Sequence, residues 1–304
     1  MDVAGLARIV LTFLALVGIG WVLRITGVLR GEDARPINAV IVYVGLPALI
    51  FQAIHPAELD AALATVVVVA WVVFAVSALL AWGVTRLLRL PRRVAGGFIL
   101  AAALGNTGYI GYPVSRALLG DEGLVRAIFY DAFGTVGALL VVGMVIAQRY
   151  GERVGEASNP LREIVRFPAV IALLVAFALR PVAIPETVSS GLDALASLVV
   201  PLIMLSVGLT LQVRSLAERP AALAALGAIR LLVAPAVALA VGTLLFEDPD
   251  VVRLVVLEAG MPAMMLSIVI GARFGLDTEF LASAVVLTTA ASVVTIPLMQ
   301  LVAG

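Results

Sequence analysis

Ten apolar stretches, most of 20 residues or more and joined by short polar connections, account for most of the 304-residue chain. They run over roughly 5–27, 36–56, 61–87, 95–119, 123–148, 161–180, 190–213, 220–246, 251–273 and 279–302. A helix needs about 20 mostly apolar residues to cross a bilayer core about 30 Å thick. Lipid offers no hydrogen-bond partner to the peptide group, so each run must satisfy its own backbone as a helix. A membrane barrel would instead show segments of about ten residues with alternating hydropathy. The pattern therefore predicts an all-α integral membrane protein. The first run is too long for a signal peptide, has only Arg8 near its start and lacks a small-residue cleavage site, so it reads as a helix.

Composition agrees. The chain is 62% hydrophobic and 13% charged, against about 45–50% and about 25% in soluble domains. Acidic and basic residues balance at 20 each, so nothing points to nucleic acid. Cys is absent and His55 is the single histidine, which removes thiolate sites and multi-histidine metal cages. Every basic residue is Arg. With no Lys there is no phosphate-binding GxxxxGK[ST] loop, and ATP hydrolysis is not expected. An intramembrane enzyme would need a nucleophile with a base or paired aspartates in helices, and neither pattern occurs. No catalytic residue, metal or cofactor is implied.

The arginines orient the chain, because cytoplasmic loops carry the excess of positive charge. Fourteen lie on alternate connections, Arg24 to Arg35, Arg86 to Arg93, Arg149 to Arg166, Arg214 with Arg219, and Arg273. Five lie on the other side: Arg8, Arg116, Arg126, Arg180 and Arg253. The bias predicts a plasma (inner) membrane protein with both termini outside and the polar connection at 149–162 in the cytoplasm.

That connection divides the chain into 1–150, a linker at 151–160 and 161–304. The halves share landmarks. Pro47 matches Pro201 at an offset of 154, Gly105 and Gly120 match Gly260 and Gly275 at 155, and Pro91 matches Pro249 at 158. Five helices per half is an odd number, so the second copy must enter from the opposite side. Two inverted five-helix repeats result, a plan common among secondary transporters.

The fourth run reads ALGNTGYIGYPVSRALLG, with Gly105, Gly108 and Gly111 followed by Pro113. The ninth reads LEAGMPAMMLSIVIGARFG, with Gly260 and Pro262. Either could be a kinked packing helix. Interruptions at equivalent repeat positions favour a functional break, tolerable where protein or a wet cavity satisfies the freed backbone. Half-helix N-termini carry positive dipole ends that hold an anion without a dedicated cation. Asn106 adds an amide there; Thr107, Tyr109 and Tyr112 add hydroxyls. The set suits a small carboxylate.

Ionisable residues inside a span are functional candidates by cost alone. Asp131 reads as a proton or cation site or as an interfacial residue. Arg230 reads as an anion attractor or as a charge-balancing group. Glu258 reads as a proton acceptor or as a fixed ion pair with Arg230. His55 reads as a loop histidine, and Gln52 and Asn38 as pore-lining or helix-bridging. Ser267, five residues beyond Pro262, is a cavity candidate, while Met261, Met264 and Met265 suit packing.

Several of these segments match a known pattern. GLPALIF (45–51), GNTGYIGYP (105–113), PLIMLSVGLTL (201–211), RLLVAP (230–235), MPAMMLSIVIGARFGLD (261–277) and LTTAASVVTIPL (287–298) occur in order over nearly the whole chain. This set resembles the auxin efflux carrier family of secondary transporters, which includes plant auxin exporters and bacterial carriers of malonate and similar acids. The resemblance implies ten helices in inverted repeats with crossed, broken helices four and nine. It implies elevator-type alternating access, with helices 3–5 and 8–10 as transport domain and 1, 2, 6 and 7 as scaffold. It also implies a homodimer. The family's binding-site Asn and crossover Pro fall on Asn106 and Pro113, with Pro262 in the second copy. The short central connection departs from the plant exporters, so regulation through a long loop is not expected. The function expected is transport of a small organic anion, uniport or coupled to protons or sodium. A sodium-coupled bile-acid-type symporter is the alternative. Substrate-binding candidates are Asn106, Thr107, Tyr109, Tyr112, Pro113, Met261, Pro262 and Ser267.

Overall fold

The computed structural model describes residues 3–152, 168–210 and 219–303. The linker at 151–160 and the start of the sixth run fall almost wholly outside the described residues. The described residues are helical, without a strand among them: α1 (Val3–Ile25), α2 (Gly31–Ile54), α3 (Ala62–Leu87), α4 (Arg92–Ala103), α5 (107–119), α6 (121–150), α7 (Pro168–Leu179), α8 (Glu186–Thr210), α9 (Pro220–Leu245), α10 (Pro249–Ala259), α11 (Leu266–Phe274) and α12 (Thr278–Ala303). Among them, six helical stretches are long and apolar enough to cross a membrane, and Leu11–Ile25 and Pro168–Leu179 are shorter apolar helices.

The stretch Thr107–Tyr150 is 44 residues long. At 1.5 Å per residue it would measure roughly 66 Å, about twice the bilayer core. It breaks at Gly120, whose φ of 71° is left-handed. Gly275, which ends α11, has φ 76°. A side chain at either position would strain this backbone. These two form one of the glycine pairs related by the 155-residue offset.

By internal contacts the chain forms two compact units. The first comprises Met1–Leu59, Arg116–Val125 and Leu161–Leu211. In it α1 lies on α8 with backbones in contact: a methyl added at Gly20 would sit 2.3 Å from the Leu205 carbonyl oxygen. Small residues allow such approach where lipid supplies no hydrophobic drive. Its polar side chains bridge helices. Gln52 Nε2 donates to Ser189 and, at 2.7 Å, to Asp193. Ser206 Oγ donates to Asn38 Oδ1 at 2.6 Å. His55 Nε2 lies 2.9 Å from the Leu179 carbonyl. The bridging and loop readings of these residues describe what is seen.

The second unit comprises Asp60–Ser115, Arg126–Pro160 and Gln212–Gly304. Its centre is α4, where every residue from Val94 to Ala103 is buried. A helix apolar on all sides is enclosed by protein, and α3, α6, α9 and α12 surround this one. Phe98 stacks on Phe280 with ring centroids 6.2 Å apart.

Candidate functional site

The fourth and ninth runs each stop midway in the second unit, and their breaks meet. Asn106 N donates to the Pro262 carbonyl at 2.7 Å, and Met264 N to the Leu104 carbonyl at 3.0 Å. These bonds form an antiparallel bridge between Gly105 and Ala263. Thr288 Oγ1 accepts from Ala263 N at 3.0 Å. The freed backbone is thus satisfied by the other arm and by α12, as hydrocarbon demands.

Two helix C-termini and two N-termini converge at this crossing. Arg230 closes the C-termini. Its guanidinium donates to the Ala103 carbonyl at 3.0 Å, to Ala102 at 3.5 Å and to Ala259. The last carbonyls of a helix lack intrahelical partners and carry the negative dipole end, so one cation serves both α4 and α10. Arg230 is 2% exposed, and its Nε has no partner.

Besides Leu139–Gly143, three segments of the second unit widen into π-helical turns: Thr107–Gly111, Tyr130–Thr135 and Ile229–Val233. The first and third end two residues before Pro113 and Pro235, as the turn Ile41–Gly45 of the first unit does before Pro47. Proline cannot donate and its ring presses on the carbonyl four residues back, so the residue before it bonds one position further. Such turns gather at functional sites. Here they carry Thr107, Asp131 and Arg230.

Asp131 is buried and fully bonded. Thr107 Oγ1 donates to its Oδ1 at 2.5 Å and Tyr112 Oη to its Oδ2 at 2.7 Å. Glu258 is wholly buried; Ser115 Oγ donates to its Oε1 at 2.6 Å, while Oε2 has no partner. The two carboxyls press on the glycines of the Thr107–Gly111 turn. A Cβ at Gly108 would lie 2.9 Å from Asp131 Oδ2, and one at Gly111 2.3 Å from Glu258 Oε2. Of the two readings open to Glu258, the fixed ion pair with Arg230 does not form. Arg230 directs its donors to helix-end carbonyls instead.

A cavity of about 10 Å³ is lined by Gly105, Thr107, Tyr130, Thr135, Arg230 and Glu258 among others, room for one water at most. Asn106 is 4% exposed and its Nδ2 lacks a partner.

The profile of a family described as membrane transport proteins matches residues 7–300. The chain belongs to this family. It is the auxin efflux carrier family whose motifs the sequence resembles. The transporter is 34% identical over 301 residues to an "uncharacterized transporter" of Methanothermobacter thermautotrophicus, covering 98% of each chain. It is 31% identical over 306 residues to another from Methanocaldococcus jannaschii, covering 95% of this chain and 96% of the other. It is 26% identical over 311 residues to a "putative malonate transporter" of Rhizobium meliloti, covering 96% and 94%.

The remaining candidates of the transporter fall as follows. Tyr109 is half-buried, and Pro113, Met261 and Pro262 are buried at the crossing. Ser267 is buried but donates to the Met264 carbonyl at 2.5 Å, closing the start of its own helix. Ser115, Tyr130 and Thr135 escaped the sequence reading. Ser115 meets Glu258 across 143 positions, and the other two lie at the ends of the Tyr130–Thr135 π turn and line the cavity.

Proposed function

We propose that the protein is a secondary carrier of a small organic anion, a dicarboxylate or an aromatic carboxylate. The observation that carries this reading is the pair of buried donors without acceptors at the crossing, Asn106 Nδ2 and Arg230 Nε. Buried donors that lack an acceptor are costly, and a carboxylate is an acceptor of the kind each of them lacks. The name of the Rhizobium relative favours the same substrate class.

The carrier works by elevator-type alternating access as a homodimer in the plasma membrane, with ten spans in two inverted repeats and both ends outside. The left-handed Gly120 and Gly275, and the half-helices that begin beside Pro91 and Pro249, support the repeat. The partition into two compact units supports a transport domain that holds the crossing and a separate scaffold.

The test is a thermal-shift screen of the detergent-purified chain against malonate, longer dicarboxylates and aromatic carboxylates, with and without sodium. At 100 times its Kd a ligand adds about 2.7 kcal/mol. Asn106→Ala is expected to abolish the shift produced by the best ligand while the protein still folds. A screen without any carboxylate shift, or a shift unchanged in Asn106→Ala, refutes the site.

A further inference from the structure

We propose that Glu258 carries a coupling proton and that proton and anion cross the membrane together. The coupling rests on the anion-carrier reading; the proton site stands on its own geometry. Asp131 and Glu258 face the same glycine turn from two helices and differ in how they are satisfied. Both oxygens of Asp131 accept a hydroxyl. Glu258 has Ser115 on Oε1 and nothing on Oε2. A buried carboxylate oxygen needs a donor or a proton. Gly111 presses on Oε2 with no room for a side chain between them, and the cavity that Glu258 lines holds one water at most.

The surroundings select a proton over a metal cation. Asp131 and Tyr130 face Glu258 from α6, Tyr112 from α5 and Arg230 from α9. The cavity residues of α3 are Ala70, Val73 and Phe74, which are apolar. The carbonyls of Ala102, Ala103 and Ala259, which would otherwise coordinate a cation, are occupied by Arg230. The guanidinium in the same cavity repels a second fixed positive charge. A proton held as Oε2–H leaves the carboxyl neutral and turns Oε2 into a donor.

The same proximity couples the two loads. An ionised Glu258 beside Arg230 offsets the positive charge that an arriving anion meets. Once Glu258 is protonated, Arg230 acts on the anion uncompensated. One Oε2–H bond forms with a proton taken from water on the loading side and breaks to water on the release side, so one proton moves with each anion.

Two measurements on the full chain decide this. In detergent without substrate, infrared spectroscopy follows the protonated-carboxyl C=O band against pH. A titrating band that Glu258→Gln removes and Glu258→Asp restores is expected; identical titrations in wild type and Glu258→Gln overturn the site. In proteoliposomes at fixed sodium, labelled malonate uptake is driven by an imposed proton gradient. The ratio of gradient-driven accumulation to malonate exchange is expected to fall at least about tenfold in Glu258→Gln. An unchanged ratio, or accumulation that follows a sodium gradient instead, overturns the coupling. If wild type neither binds nor exchanges malonate, malonate is eliminated as the substrate and the infrared titration still decides the proton site.

Discussion

The two units treat polar side chains differently. In the first, Asn38, Gln52, His55 and Ser206 all find partners on neighbouring helices. In the second lies every buried side-chain nitrogen or oxygen that lacks a partner among the described residues, including Asn106 Nδ2, Arg230 Nε and Glu258 Oε2. A fold gains nothing from unmet polar groups in hydrocarbon. Where they cluster at a helix break beside a cavity, they mark the region kept for something that arrives. The first unit uses its polar groups to hold helices together, and the second holds several in reserve.

Four substitutions test that contrast, from the largest effect to the smallest. Arg230→Leu strips the donors from the ends of α4 and α10 and is expected to cost about 1–3 kcal/mol for each carbonyl left open, read as a lower thermal midpoint in one detergent. A midpoint within a degree of wild type would show that the crossing does not depend on its cation. Gly111→Ala drives a methyl into the Glu258 carboxylate and is expected to cost about 1–3 kcal/mol as an overpacked site, with malonate exchange lost. Asp131→Ala leaves the Thr107 and Tyr112 hydroxyls without their acceptor, at roughly 1–2 kcal/mol. Chemical denaturation would reveal it, and a neutral result would place that trio outside the stabilising network. Ser206→Ala in the first unit removes one bond to Asn38, at roughly 0.5–1 kcal/mol, with malonate exchange unchanged. If exchange falls as far as in Gly111→Ala, the division between holding and reserve fails.

How much of this was legible follows from what each signal depends on. Apolar runs and their separations are properties of consecutive residues, so the helices were readable along most of the described chain. The breaks were readable because glycine and proline act locally. Pro47, Pro113 and Pro235 carry a further readable sign, a widened turn ending two residues earlier, that the sequence reading did not use. Partners were not readable. A fixed ion pair with Arg230 was one of two readings open to Glu258, yet α4 and α10 end where Arg230 reaches the carbonyls of Ala102, Ala103 and Ala259. Tyr112 was singled out for the substrate, and its hydroxyl is spent on Asp131. Ser115, about two turns beyond the break, carried no sign that a carboxyl from the other half would meet it.

The Arg230 contacts also set an order of manufacture. The carbonyl of Ala103 waits for a side chain made 127 positions later. When the first five hydrophobic runs have left the ribosome, α4 ends in open carbonyls that lipid cannot satisfy. They are closed only when α9 has been inserted, and the end of α10 follows directly. The amino-terminal half is therefore an unfinished object on its own, and its nascent form must be sheltered until the second half reaches the bilayer.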